Sequence, residues 1–376
     1  MAGIYLHIPF CKKKCHYCDF YKTLETGKTG SFLKALKKEI ELRKGYLEEK
    51  EGIGTVYFGG GTPSVLSVSE LGNILETISI HFDVADGAEI TVEVNPDDIN
   101  KTYAEELKKS GVNRISLGIQ SWDNNILKML NRRHTAAQAG EAIRLIHQAG
   151  IDNISADLLY GIPGMSSGTW VSGLKKTLDY DIKHLSAYHL TIEEGTVFGR
   201  MKEAGELQET GEEESERQFA VLLEICSRND FIQYEISNFC KEGYYAKHNT
   251  NYWRRVPYLG LGPSAHSFNG ETRQWNVAGL TEYIKHIERD EVPATVETLG
   301  LRDRYNEYIM TSLRTMWGAD LDYVEENINK ELRDYLSNLS TRFIRYGMMK
   351  KKDNTLILTD QGKMISDNII SSLMMA

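Results

Sequence analysis

Six short runs rich in β-branched and aromatic residues, each followed by a stretch with helical spacing, restrict what this chain can fold into. The runs are Gly3 to Ile8, Thr55 to Phe58, Glu89 to Val94, Arg114 to Gly118, Asn153 to Asp157 and His184 to Tyr188. Between them lie helix-patterned segments such as Ser31 to Tyr46, with apolar Phe32, Leu33, Leu36 and Ile40, and Ala136 to Ala149, which stops at Gly150. A strand that returns beside its predecessor through a helix pairs in parallel. Right-handed crossovers repeated in this way predict an α/β fold, a partial (β/α)6 TIM-like barrel, about three quarters of a complete eight-unit one.

In such a barrel the chemistry belongs at the carboxyl ends of the strands, and the unusual residues cluster there. The loop Cys11-Lys-Lys-Lys-Cys15-His-Tyr17-Cys18-Asp19-Phe20 follows the first run, and Gly59-Gly60-Gly61-Thr62-Pro63 follows the second. Glu93 to Pro96 ends the third, Gln120 and Ser121 follow the fourth, Asp157 ends the fifth and His189 follows the sixth. Three thiols inside eight residues can close on one metal centre as a single loop. Three protein ligands leave one iron of a four-iron cluster open to a ligand from outside. The competing readings are a zinc knuckle and a disulfide hairpin. His16 would be the nearest fourth zinc ligand, although its place inside the loop makes joint coordination awkward.

Composition narrows the setting. At 376 residues, with 41% hydrophobic and 26% charged residues, the chain holds a sizeable core and two or three structural units. No eighteen-residue apolar run or signal peptide is visible in the sequence, which predicts a cytoplasmic protein. Five cysteines, three of them in one motif, suit a reducing compartment and leave Cys226 and Cys240 as free thiols. A formal charge of -9 argues against a nucleic-acid partner held by a general basic field. Lys12, Lys13 and Lys14 read as solvated charges, or as a dock for an acidic electron donor. Beyond Thr191 the pattern changes. An acidic helix over Glu212 to Arg228 leads into an aromatic stretch from Phe231 to Phe268, and from about Pro293 the chain looks helical, with a small strand over Asn354 to Thr359. We therefore expect a barrel over 1–230, a connecting segment over 231–290, and a mostly helical, winged-helix-like C-terminal domain over 291–376.

The cysteine spacing resembles the CxxxCxxC signature of the radical S-adenosylmethionine (SAM) superfamily. That resemblance implies a 4Fe-4S cluster held by Cys11, Cys15 and Cys18, with SAM chelating the open iron and being cleaved to a 5'-deoxyadenosyl radical. It also implies that Gly60, Gly61 and Thr62 bind the methionyl amine. Glu93, Gln120, Arg132 and Asp157 would complete the SAM site, with Tyr5 and Tyr17 beside them. Read from the residues alone, the glycines are a tight turn, Arg132 part of a solvated turn and the tyrosines ordinary packing.

Within the superfamily the chain resembles the oxygen-independent coproporphyrinogen III dehydrogenase group over nearly its whole length. Two subgroups compete. The dehydrogenases carry CxxxCxFCxC and a longer N-terminal extension, whereas this chain has Tyr17, Phe20 and only four residues before Tyr5. These features match the HemW-like heme-chaperone subgroup, whose motif is CxxxCxYCDF. The run His248-Asn-Thr-Asn-Tyr252-Trp253 also resembles that subgroup's HNxxYW heme motif. An imidazole can ligate heme iron while neighbouring aromatic rings pack on the porphyrin. Tyr244, Tyr245 and Tyr258 add flat surface, and His266 and Cys240 are rival axial ligands. The resemblance thus implies a heme-binding protein that cleaves SAM without dehydrogenating coproporphyrinogen. Its partners would be a heme acceptor such as a membrane-bound cytochrome and an electron donor, with peripheral membrane contact and a homodimer both open. The alternatives are a true coproporphyrinogen III dehydrogenase and a regulator that senses iron or oxygen through the cluster. A DNA-binding regulator would need a basic recognition helix, and Glu325 to Arg333 carries mixed charge.

Overall fold

A computed structural model describes residues 1–48 and 52–375. Six parallel strands, β1 (Ala2–Ile8), β2 (Ile53–Gly60), β3 (Val84–Val94), β4 (Arg114–Gln120), β5 (Asn153–Tyr160) and β6 (His184–His189), lie side by side in chain order. Helices cross between successive strands, including Thr29–Leu42, Val68–His81, Ala136–Gln148 and Ser167–Leu178. The helix after β2 begins where its sequence announces it. Ser67 accepts from the Glu70 N–H while Glu70 accepts from the Ser67 N–H, a capping box that ties two orphan donors of the first turn.

The barrel follows from a period of two along each strand. Ile4, Leu6 and Ile8 of β1, Val56 and Phe58 of β2, and Ile115, Leu117 and Ile119 of β4 are almost fully buried, packed in one core with Phe32, Leu36 and Ile40 of the first crossover helix. Their alternates Tyr5, His7, Tyr57, Glu93, Arg114, Ser116 and Asp157 point the other way, into the lumen. Register places these in layers: Tyr5 lies beside Tyr57, Glu93 beside Ser116, and Asp157 beside Ser186. A lumen filled with polar side chains instead of aliphatic ones is unusual for a closed barrel core and marks a binding chamber.

The sheet does not stop at six strands. Beyond β6 it continues through the antiparallel β8 (Asn238–Cys240) to β7 (Ile232–Gln233). On the other side of β1 it continues through the parallel β9 (Tyr258–Leu261) to β10 (His266–Phe268), β11 (Thr272–Asn276) and β12 (Ala294–Thr298). The stretch 231–290, read from sequence as a connecting segment, thus contributes five strands to the twelve-stranded sheet. Its Phe231, Phe239, Leu259, Leu261 and Tyr283 share the barrel's core. A separate core assembles from Tyr305 to Leu373, where helices such as Leu301–Ser312 and Lys330–Arg345 pack on a three-stranded antiparallel sheet. That sheet comprises β13 (Ala319–Asp320), β14 (Met349–Lys352) and β15 (Thr355–Leu358), a winged-helix-like arrangement.

Candidate functional site

The carboxyl ends of β1 to β6 open on a cavity of about 610 Å³, within the size range of small-molecule sites. Cys11, Cys15, Cys18 and Tyr17 line it from the loop after β1, and Gly60, Gly61 and Thr62 from the loop after β2. Glu93, Gln120, Arg132 and Asp157 line it from later strand ends. The two loops are held together by an approach only glycine permits. A β-carbon on Gly61 would lie 2.8 Å from the Phe10 carbonyl oxygen and 2.9 Å from that of Ile8. Gly60 next to it adopts a φ of 106° with the His7 ring underneath, a conformation that L side chains rarely adopt.

All three cysteines of the loop are free thiols, which removes the disulfide reading. Cys11 Sγ lies 3.3 Å from Thr62 Oγ1, and burial pushes its thiol pKa up. His16 Nδ1 is 2.9 Å from the Met129 carbonyl and its ring packs on Phe198, which anchors the ring on the barrel side of the loop. Among the described residues, no three His, Cys, Asp or Glu side chains converge as they would around a single ion. The three thiols line one mouth of the cavity.

Arg132 crosses the same mouth. Its Nη1 is 3.5 Å from Cys15 Sγ, and its Nη2 donates to Asn95 Oδ1 at 2.5 Å and to the Gly118 carbonyl at 2.7 Å. Its buried Nε has no partner, so one donor of the planar fork remains for a ligand acceptor. Gln120 sits at a φ of 65°, where the β4–β5 register slips, and this turns its side chain toward Arg132 and Gly118. Non-glycine residues are uncommon in this region, and outside turns those that hold it cluster at functional sites.

Glu93 accepts from the Tyr57 hydroxyl at 2.8 Å, and burial raises its pKa to about 7 despite that bond. Asp157 accepts from Ser116 at 2.8 Å and from Ser155 at 3.0 Å, and burial raises its pKa as well. Two strand-end carboxyls that titrate high in one chamber are poised to pair with an amine or with ribose hydroxyls. A zwitterionic nucleoside therefore fits the donors and acceptors on offer: a fork for its carboxylate, carboxyls for its amine and sugar, and thiolates for a cluster beside them. Tyr5 lies deeper, stacked on Tyr57 with ring centres 6.1 Å apart, and lines a different cavity.

His248 is elsewhere too. The helix Lys247–Trp253 plugs the barrel floor, where Glu89 accepts from the N–H groups of Lys247 and His248 and so caps its first turn. The His248 ring is 2% exposed, stacked on Tyr57, with Nδ1 2.7 Å from Thr55 Oγ1 and Nε2 2.8 Å from Tyr252 Oη. In this arrangement neither nitrogen can reach an iron. Cys240 is fully buried in β8, and Tyr244 and Tyr245 lie away from both cavities, whereas Tyr258 and His266 line the second one.

Three cavity residues had no site role assigned from the sequence, although Asn249 lies inside the HNxxYW run and Asn95 in the Glu93 to Pro96 strand end. Asn95 bridges Arg132 and Thr62, Arg114 is a buried cation inside β4, and Asn249 faces the first cavity from the floor helix. Arg114 had a signal of another kind, a charge at an inward position of a strand otherwise apolar on its other face.

Comparison with known proteins agrees with this geometry. Residues 5–172 match the radical SAM superfamily, and residues 299–365 match the HemN C-terminal domain. The chain is 31% identical to the heme chaperone HemW of Lactococcus lactis, covering 99% of this chain and 97% of that one. It is 29% identical to the heme chaperone HemW of Bacillus subtilis, covering 100% and 99%. Among solved structures, the coproporphyrinogen III oxidase HemN from Escherichia coli, described as a radical SAM enzyme, superposes with a TM-score of 0.86. That match covers 99% of this chain and 90% of that one at 20% identity, a likeness of fold. The strand-end chamber, its three free thiols and the full-length likeness lead to one assignment: the chain belongs to the radical SAM superfamily and, within it, to the family of the heme chaperone HemW.

Proposed function

We propose that this protein binds heme and hands it to an acceptor protein, a membrane-bound cytochrome, while holding a 4Fe-4S cluster and SAM in the first cavity. The observation that carries the reading is Phe20. Where the dehydrogenase pattern expects a fourth cysteine, the chain presents a phenylalanine that is 72% exposed and lines both cavities. An exposed aromatic at that position supplies apolar surface to a flat ligand rather than another thiolate to the metal site.

Cys11, Cys15 and Cys18 would hold the cluster, which with SAM supplies one-electron reductive cleavage of the sulfonium. The protein's own part is to bind and orient. Arg132 Nε and Gln120 take the methionyl carboxylate, Gly60, Gly61 and Thr62 the amine, and Glu93 and Asp157 the amine or ribose hydroxyls. Tyr17, packed beside Cys15 and Arg132, closes the chamber, and Tyr5 supports Tyr57 and through it Glu93. Tyr252 and Trp253 of the HNxxYW helix serve the heme side. No helix among the described residues is long and apolar enough to cross a membrane. On this reading the handover takes place where the protein meets the membrane peripherally, with an electron donor docking near Lys13 at the cluster mouth.

The test is an anaerobic reaction of reconstituted protein with SAM, a reductant and coproporphyrinogen III, followed by mass spectrometry, beside a heme titration. Heme binding without protoporphyrinogen is the expected result. Protoporphyrinogen formed in step with 5'-deoxyadenosine would establish a dehydrogenase and overturn the chaperone reading.

A further inference from the structure

The second cavity, of about 470 Å³, lies on the opposite side of Phe20 from the cysteine mouth. Its walls come from β9 and β10, from the floor helix and from the helix Leu301–Ser312 of the C-terminal unit. Aromatic rings set its shape. Tyr252 and Tyr258 meet edge to face at 4.5 Å, Tyr258 leans on Phe268 at 6.4 Å, and Trp253 completes the wall. Two cations share it: Arg255 and Arg273 lie over Phe268 at 5.6 and 5.7 Å from the ring centre. Glu307 is the one acidic side chain lining it, 2.8 Å from Arg273 and 3.8 Å from Arg255, so the walls keep a net positive charge. The Nε of Arg255 is buried and without a partner.

A broad flat ligand with an apolar face, anionic edges and a metal centre matches this chemistry. An imidazole is one side chain that can ligate such a metal, and the three histidines nearby differ in what their nitrogens are doing. His248 spends both on Thr55 and Tyr252. His7 Nε2 is 3.0 Å from the Tyr21 carbonyl, and its Nδ1 is 3.4 Å from the Tyr5 hydroxyl. The His266 ring lines the cavity, is exposed, and has no hydrogen-bond partner among the described residues; its only aromatic neighbour is Trp275, at 6.1 Å. Partial desolvation in the cavity mouth and the nearby Arg273 hold its pKa below the ordinary histidine value, which keeps a lone pair free at neutral pH.

Resting on the heme reading above, we propose that heme seats in this second cavity with His266 as its axial ligand and Arg255 and Arg273 at its propionates. His248 is then a positioning residue. It fixes the Tyr252 hydroxyl and so the aromatic wall, and the floor helix becomes a partition, with Asn249 on the SAM side and Tyr252 and Trp253 on the heme side. This accounts for a motif that combines a buried histidine with outward aromatics.

Heme titration of the cluster-loaded protein tests the assignment, read by Soret difference spectra and magnetic circular dichroism on wild type, His266→Ala and His248→Gln. His266→Ala should weaken binding at least about tenfold and lose the histidine-ligated spectrum, and added imidazole should restore that spectrum. His248→Gln should keep the spectrum, with at most a broadened band. A wild-type spectrum in His266→Ala would overturn this assignment while leaving the chaperone reading intact. So would loss of the histidine-ligated spectrum in a His248→Gln protein whose circular dichroism shows it folded. A wild type that binds no heme at all would overturn both.

Discussion

The two cavities flanking Phe20 are built on opposite plans. The first is made of strand ends, with polar side chains from β2 to β6 aimed at a common centre and the cysteine loop that follows β1 across the top. The second is made of faces: four sheet strands, β1 and β9 to β11, with one short helix and one helix of another core, lined by rings and arginines. The first can recognise a small ligand atom by atom, because Glu93, Gln120 and Asp157 stand on rigid strand ends and Arg132 is held by Asn95 and the Gly118 carbonyl. The second offers area and charge, which suits cargo that must leave again. On the function proposed above, chemistry and carriage would be separated in space within one chain, with the exposed ring of Phe20 lining both cavities.

The largest way to break that separation is at the thiols. Cys11→Ala or Cys18→Ala should abolish the visible absorbance of the reconstituted cluster and leave most of the heme binding; equal loss of both would show one folding unit. Next comes Arg132→Ala, which removes a charged donor and should weaken SAM binding by about 1.5–3 kcal/mol, measured by calorimetry, with heme affinity unchanged. Gly61→Ala forces a β-carbon against the Phe10 and Ile8 carbonyls. It should destabilise the protein by about 1–3 kcal/mol in denaturant and lower cluster occupancy.

A smaller effect comes from pH. Burial holds the Glu93 carboxyl near 7, so the group is largely protonated below that value and charged above it. If the charged form is what pairs with SAM, affinity should rise about tenfold between roughly pH 6 and pH 8, and Glu93→Gln should flatten the rise. The sign for stability is opposite. A raised carboxyl stabilises the unliganded fold below its unfolded value, and that contribution fades as pH rises through about 7. Heme binding should show neither trend, because Glu93 does not line the second cavity.

The contrast between the cavities also explains what was legible in the sequence. The six parallel strands and the acidic helix Glu212–Arg228 were readable because long apolar alternation and helical spacing survive in the chain itself. The strand-end site followed, since topology alone says where such strands point. Strands β7 to β11 are two to five residues long and derive their pairing from neighbours far away in sequence, so no local pattern announced them. The second cavity is assembled from those strands and stayed invisible. His248 shows the same limit from another side. Its motif was legible, but burial between Gly3, Thr55 and Tyr57 is a property of the floor of the barrel and not of the six residues.

The most direct measurement mixes heme-loaded, cluster-reconstituted protein anaerobically with membranes that carry a heme-free respiratory cytochrome, then separates the fractions and reads the Soret band in each. The account predicts that heme leaves the protein and appears as assembled cytochrome in the membrane fraction. Heme that stays with the protein under these conditions, or that transfers no faster than free heme added alone, would contradict it.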